Sequence, residues 1–256
     1  MQKEESRFVS NGIFEGLISI RALVDGARLG ISDRKIERVL YDPERYTDRR
    51  KRPELTWLKK TGERSGFAVE ACPREKIEEL ATGSSHGGLI AIAGERTIPA
   101  PDPASDGFYM LLEGIEDPYN FGYALRSIYA SGADGVVLTP RNWMSAAGVV
   151  CRASAGASEL LPLSVAEPLE AVDIFRSRGY KIVCADLRDA VDVYDAELKR
   201  PLLIIVGGER RGISRVLLDA ADLRVRLPYG RDFGASLSAA TASSLIAFEV
   251  LRQNRK

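Results

Sequence analysis

LIIVGGERRGIS, residues 203–214, begins aliphatic and stops abruptly on two glycines and a glutamate, with two arginines, another glycine and an Ile-Ser pair behind them. A short apolar, β-branched run that ends in Gly-Gly marks a buried strand finishing where something comes close to the backbone. On either side of it, strand and helix patterns alternate. Upstream, FYMLLEG (108–114), GVVLTP (135–140) and YKIVCAD (180–186) have strand character. Between them, NFGYALRSIYASG (120–132), NWMSAAGVVCRASAGA (142–157) and PLEAVDIFRSRG (168–179) have helical character, the first and last stopped by glycines. Downstream come a short helix near SRVLLDAA (214–221), a strand in LRVRLP (223–228) and a long final helix, SLSAATASSLIAFEVLRQN (236–254). Such alternation predicts an α/β fold with a mostly parallel sheet covered on both faces. Ligands of these sheets bind beyond the carboxyl ends of the strands, which is where the Gly-Gly-Glu falls.

The first hundred residues predict a smaller α/β unit. NGIFEGLISIRALVDGA (11–27) spaces Ile13, Leu17, Ile20 and Val24 as a helix does, and KIERVLYDP (35–43) predicts a short strand. A helix within 54–66, a strand around Phe67–Val69, a helix in PREKIEEL (73–80) and a strand from Leu89 to Ala93 follow. The proline-rich TIPAPDPASDG (97–107) resembles an interdomain linker. The expected division is therefore residues 1–96 and 107–256.

Composition removes several chemistries. The 256 residues are 45% hydrophobic and 28% charged, ordinary for a globular chain, with 36 basic groups balancing 36 acidic ones. No apolar stretch approaches the ~20 residues of a membrane span, and the polar N-terminus lacks the apolar core of a secretion signal. The three cysteines are scattered, so a cytosolic (cytoplasmic) protein without a disulfide framework is expected. His86 is the single histidine, which argues against a Cys/His metal site and against a histidine-based nucleophilic triad. Overall charge does not drive binding to nucleic acid, yet RYTDRRKRPELTWLKK (45–60) crowds cations around Trp57. A solvated loop is the equally weighted reading of that stretch.

A dinucleotide site does not fit the strand ends: GGERRG is not GxGxxG, and EGIEDPYN carries no glycine fingerprint. Three loops stand out instead, EDPYNFGYALRS (116–127), VGGERRGIS (206–214) and LPYGRDFGASLSAA (227–240). In that order they resemble the motifs of the SpoU (TrmH-like) family of RNA 2′-O-ribose methyltransferases, of the SPOUT class. The first motif matches at Asn120, Gly122 and Arg126, and the second at Gly207, Glu209 and Gly212. The third matches at Leu227, Pro228, Gly230, Ser236 and Leu237. The match runs from about residue 107 to 253, and residues 8–95 more weakly resemble the family's L30e-like substrate-binding domain.

The resemblance implies a trefoil-knotted methyltransferase domain at 107–256 behind an L30e-like RNA-binding domain at 1–96. It implies S-adenosyl-L-methionine as cofactor, held by Gly207, Gly208, Leu227, Leu237 and Ala185. It implies RNA as substrate, ribosomal RNA favoured over transfer RNA, a homodimer, and neither metal nor membrane. Arg126, Asn120, Glu209 and Ser236 become the catalytic residues. Guanidinium rarely gives up its proton, so Arg126 either accepts one when desolvated or clamps an RNA phosphate, the second being favoured on electrostatic grounds. Bland roles compete: Asn120 or Ser236 capping a helix, Glu209 balancing Arg210 and Arg211, His86 purely structural. Arg210, Arg211, Arg231 and Arg141 are expected on the active face as phosphate contacts. Ser238 stands where the family usually has Asn, which keeps open an alternative: an RNA-binding protein of this fold with weak or lost activity.

Overall fold

The structure, a computed structural model, describes residues 12–140, 146–208 and 210–255. In chain order the first elements are β1 (Ile13–Glu15), α1 (Gly16–Arg28), β2 (Ile36–Tyr41), α2 (Arg52–Ser65), β3 (Ala68–Ala71), α3 (Arg74–Leu80) and β4 (Leu89–Ala93). Then come β5 (Phe108–Glu113), α4 (Pro118–Ala130), β6 (Gly135–Leu138), α5 (Ala147–Ala153), α6 (Ala157–Leu160) and β7 (Leu163–Val165). They are followed by α7 (Pro168–Ser177), β8 (Lys181–Ala185), β9 (Val191–Asp192), β10 (Leu202–Gly207), α8 (Arg215–Ala220), β11 (Leu223–Arg226) and α9 (Ala239–Asn254).

These elements form two compact units. The chain up to Thr97 makes the first, and it is joined there by a later segment ending at Leu160. Its sheet runs β1-β4-β2-β3, with β2 and β3 parallel and the other pairs antiparallel. Phe14, Ile20, Leu23, Val39, Leu58 and Leu89 pack into its core together with Cys151 of α5. Ile13 lies in a strand rather than in the expected helix, because β1 pairs with β4 and Gly16, at φ +81°, turns the chain before α1 starts.

The compact units depart from a plain division at the linker, since α5 and α6 pack with the N-terminal elements. Arg152 of α5 forms an ion pair with buried Glu15. Buried Glu159 of α6 accepts hydrogen bonds from Arg34 Nε at 3.2 Å and Ser32 Oγ at 3.1 Å. A buried carboxylate needs such partners, because its desolvation otherwise costs several kcal/mol. Beside it, burial pulls the Arg96 guanidinium below its ordinary pKa, while Arg96 donates to the carbonyls of Ser158 and Ile31.

The second unit contains a seven-stranded sheet in the order β7-β6-β5-β10-β8-β11-β9, every pair parallel. β10, the strand of the LIIV run, is central, and all of Leu202–Val206 is buried. Along a strand side chains alternate between faces. Leu203 and Ile205 join Val172 and Phe175 of α7 and Leu217 of α8. Leu202, Ile204 and Val206 face the other way, toward the layer of α9, which packs on β10 and on α4. A strand buried on both faces reads as an unbroken apolar run for this reason.

Candidate functional site

Strands β10, β8 and β11 are neighbours and point the same way, so their carboxyl ends open on one side of the sheet. At the end of β10 the chain folds back on itself. Gly208 N donates to the Glu113 carbonyl of β5 at 2.7 Å, and Gly212 N donates to the Gly208 carbonyl at 2.9 Å. The Glu113 side chain closes the same loop, its Oε2 accepting from Ser214 N at 2.8 Å.

Chain packing by itself requires the glycines. A Cβ on Gly207 would stand 2.5 Å from both the Gly212 oxygen and the Ile213 nitrogen. A Cβ on Gly208 would run into the Gly114 carbonyl, 2.6 Å from its carbon. Both glycines line the site, and their bare α-carbons also make room for the loop's own backbone.

The loop forms one wall of a cleft of about 250 Å³. Gly207 and Gly208 line it beside Ala185, Asp186 and Leu187 after β8, Leu227 and Tyr229 after β11, and Ser236 and Leu237 before α9. All five residues expected to hold a cofactor thus meet in one place. The walls are mainly aliphatic, with Ile213 and Ile246 among them, and the polar residues of the lining are Asp186, Arg226, Tyr229 and Ser236. The Asp186 carboxylate already accepts from Leu187 N at 2.7 Å. A volume near the lower end of the ~300–1,000 Å³ of small-molecule sites suits a flat heterocycle, with polar parts extending outward. Leu237 N is engaged by the Tyr229 hydroxyl at 3.1 Å, which bridges the ends of the third loop.

Of the expected catalytic residues, Ser236 lines the cleft, whereas Asn120 and Arg126 are not among the residues lining it. Glu209 and Arg141 lie outside the described residues. Arg126 is exposed on α4, on the face that also carries exposed Tyr119 and Tyr123. The capping roles weighed as alternatives for Asn120 and Ser236 are taken by other residues. Asp117 caps α4, accepting from Asn120 N at 2.8 Å, so Asn120 sits in the first turn. Ser238, not Ser236, caps α9, accepting from Thr241 N at 3.2 Å. Asn and Ser are about equal as N-caps, so Ser238 fills the helix-capping role open to the family's usual Asn.

The remaining titratable candidates are quiet. His86 is buried, and its Nδ1 accepts from Gly88 N at 3.1 Å, a structural role. Burial pushes the Cys151 and Cys184 thiols up to about 12, which leaves them protonated and unreactive near neutrality. Among the described residues no group of three His, Cys, Asp or Glu could hold a metal ion. No helix there is long and apolar enough to cross a membrane. Arg210 pairs with Glu116 at 3.5 Å, while Arg211 and Arg231 are exposed.

Residues 107–248 match the model of the SpoU rRNA Methylase family. The chain belongs to that family. A protein of Staphylococcus haemolyticus described as a TrmH family tRNA/rRNA methyltransferase is 31% identical over 196 residues, spanning 73% of this chain and 78% of its own. The crystal structure of an RNA 2′-O ribose methyltransferase superposes with a TM-score of 0.77 at 25% identity, covering 94% of this chain and 88% of that one. An AdoMet-bound rRNA methyltransferase from Sinorhizobium meliloti shares the fold at a TM-score of 0.79 and 22% identity, with 99% and 95% covered.

Within this SpoU chain, the spacing of the motifs located the cleft but missed three residues that shape it. Glu113, Asp186 and Tyr229 each follow an apolar stretch at the carboxyl side of a strand. That position is the signal that could have found them. The basic stretch at 45–60 is partly committed internally. Arg50 pairs with Asp48 and Lys51 with Glu54, while Trp57 is half-buried against the core with Arg21 over its ring.

Proposed function

We propose that this protein uses S-adenosyl-L-methionine to methylate a ribose 2′-hydroxyl of a structured RNA, ribosomal RNA in preference to transfer RNA. The observation that carries the reading is the meeting of Ala185, Gly207, Gly208 and Leu227, from the ends of three strands, and Leu237, from the segment before α9, in one mainly aliphatic cleft. When bound, S-adenosyl-L-methionine supplies an electrophilic methyl group whose leaving group is a neutral thioether. That leaving group would need no acid; as the oxygen–methyl bond forms and the sulfur–methyl bond breaks, the 2′-hydroxyl would give up its proton to solvent water, since a guanidinium seldom acts as a base. The chain's task is to hold the hydroxyl in line and exclude competitors, and positioning of this kind is worth up to ~7–11 kcal/mol.

In this reading Ser236 orients the substrate at the cleft, and Arg126 clamps an RNA phosphate bidentately and so aims the adjoining ribose. Asn120, in the first turn of α4, and Glu209 support that helix and the glycine loop. Two copies pair through α4 and α9, whose outer faces expose Tyr119, Tyr123, Leu245 and Phe248. Pairing is what brings Arg126 to a cleft, since it lies off the lining of its own. The first unit, L30e-like, grips the RNA through Arg49, Arg52, Lys59 and Lys60, all exposed. The chain's end threads a trefoil knot in the second unit, and the enzyme works in the cytoplasm. The alternative, a binding protein of this fold with weak or lost turnover, has Ser238 as its best support, and Ser238 caps α9 here.

The test is transfer of labelled methyl groups to total RNA from cells lacking the protein, followed by alkaline hydrolysis. A 2′-O-methylated nucleotide cannot form the 2′,3′-cyclic phosphate, so the label must appear in alkali-resistant dinucleotides. Label in alkali-labile mononucleotides means base methylation and sinks the ribose assignment. No transfer at all supports the binding-only alternative.

A further inference from the structure

The loop from Leu227 to Ser238 lends Leu227, Tyr229, Ser236 and Leu237 to the cleft and also carries an aromatic residue the cleft does not use. Phe233 is 56% exposed. Its ring is nonetheless placed: it meets Tyr229 edge to face, the centroids 6.0 Å apart and the planes at 63°. Tyr229 is itself fixed through its hydroxyl, which accepts from Leu237 N at 3.1 Å. One side of Phe233 is thus backed by a residue tied across the loop, and its exposure leaves ring surface open to solvent beside the cleft. Arg231, two residues away, is exposed, and no ion pair involves it among the described residues.

A nucleotide brought to an enzyme site gives up stacking on its neighbours in the RNA. Proteins replace that stacking with aromatic faces, which accept any base, and hold the backbone with arginine. We propose that Phe233, backed by Tyr229, is the surface on which a base of the RNA stacks at or next to the target nucleotide, with Arg231 on the adjoining phosphate. The proposal rests on the cleft being the methyl-transfer site for RNA. It assigns Phe233 to substrate and leaves the cofactor to the cleft wall.

The experiment compares Phe233→Ala and Phe233→Trp with the unaltered full-length protein in three measurements. They are affinity for a single-stranded RNA dodecamer carrying 2-aminopurine, whose emission is quenched by stacking; KM and kcat with total RNA; and calorimetric affinity for S-adenosylhomocysteine. Loss of one stacked base weakens RNA binding about 5- to 150-fold. Phe233→Ala is expected to lose dodecamer affinity and raise KM within that range, with kcat at saturating RNA and S-adenosylhomocysteine affinity close to the parent. Phe233→Trp is expected to restore binding and quenching. Unchanged RNA affinity and KM in Phe233→Ala overturn the proposal. So does an equal loss of S-adenosylhomocysteine affinity, which would mean that Phe233 only props the loop. Phe233-dependent quenching without methyl transfer by the parent protein would retain the stacking surface and refute the methyl-transfer reading.

Discussion

Replacing Gly207 with alanine tests whether the glycine loop is shaped by its own backbone. The new Cβ would lie 2.5 Å from the Gly212 oxygen and the Ile213 nitrogen, both main-chain atoms that cannot rotate away. Ordinary contact needs ~3.4 Å, so the 208–213 turn must retreat by about an ångström or strain in place; overpacking of this kind costs ~1–3 kcal/mol. For a unit of this size that is a fall of about 2–12 °C in Tm. The functional loss should be larger, because a 1 Å misplacement at a site costs about 100-fold in rate. Gly208→Ala should behave similarly, since its Cβ runs into the Gly114 carbonyl beside the Gly208–Glu113 hydrogen bond. Gly230→Ala is the control: nothing lies within 4 Å of its added Cβ, so stability and affinity should hold. Thermal unfolding, calorimetry with S-adenosylhomocysteine and the methyl-transfer rate measure these effects. Parent-like Tm and affinity in Gly207→Ala would refute the backbone account, and equal damage from Gly230→Ala would show that the site tolerates no change of any glycine.

Ser238→Asn should leave Tm within a degree or so, whereas Ser238→Ala should lose about 1 kcal/mol of stability as the α9 cap disappears; equal effects in denaturant titrations would contradict the capping role. Arg126→Ala should cut turnover at least ~100-fold with S-adenosylhomocysteine affinity preserved. Lysine should rescue poorly if the contact is bidentate, and a normal methylation rate in Arg126→Ala would remove α4 from the site. Glu159→Ala should destabilise the first unit by about 3–5 kcal/mol, because it leaves buried Arg34 unpaired; hydrogen exchange in α5 and α6 reads this directly. Cys151 and Cys184, pushed up to about 12 by burial, should resist thiol reagents at pH 8.5 until denaturant is added. Their folded pKa values lie above the unfolded ones, so the stability they contribute is whole below about pH 9 and is lost as pH rises towards 12. A melting temperature flat across that window would contradict the burial effect.

What could be read in advance depended on how local the deciding physics was. β10 and α9 were legible because an apolar run buried on both faces and a long uninterrupted helix carry their signals in adjacent residues. The cleft was legible because two of the three motif loops, those after β10 and β11, hold special residues beyond a strand end, whereas the loop after β5 does not line it. β1 was not, since Ile13 fits a helical spacing and only pairing with β4 makes it a strand. The caps were not decided locally, because Asp117 and Ser238 compete with equally suitable neighbours, Asn120 and Ser236. Glu113 stands at a strand end where a site residue is expected, but its task was hidden, since its carboxylate acts on Ser214 N, 101 positions away in sequence. The attachment of α5 and α6 to the first unit was equally hidden, resting on partners such as Glu15 and Arg34 far upstream.

That attachment governs the order in which the chain can finish folding as it is made. When Thr97 leaves the ribosome, the first sheet is complete but Glu15 and Arg34 still lack Arg152 and Glu159. At ~5–20 residues per second the missing helices follow only after about 3–12 s. During that interval β5, α4 and β6 also emerge, without β10 to sit beside them. The units therefore cannot mature one after the other like beads on a string. A nascent chain arrested at the linker would lack the first unit's last helices, and a gene split there would add a second fragment carrying them without a partner.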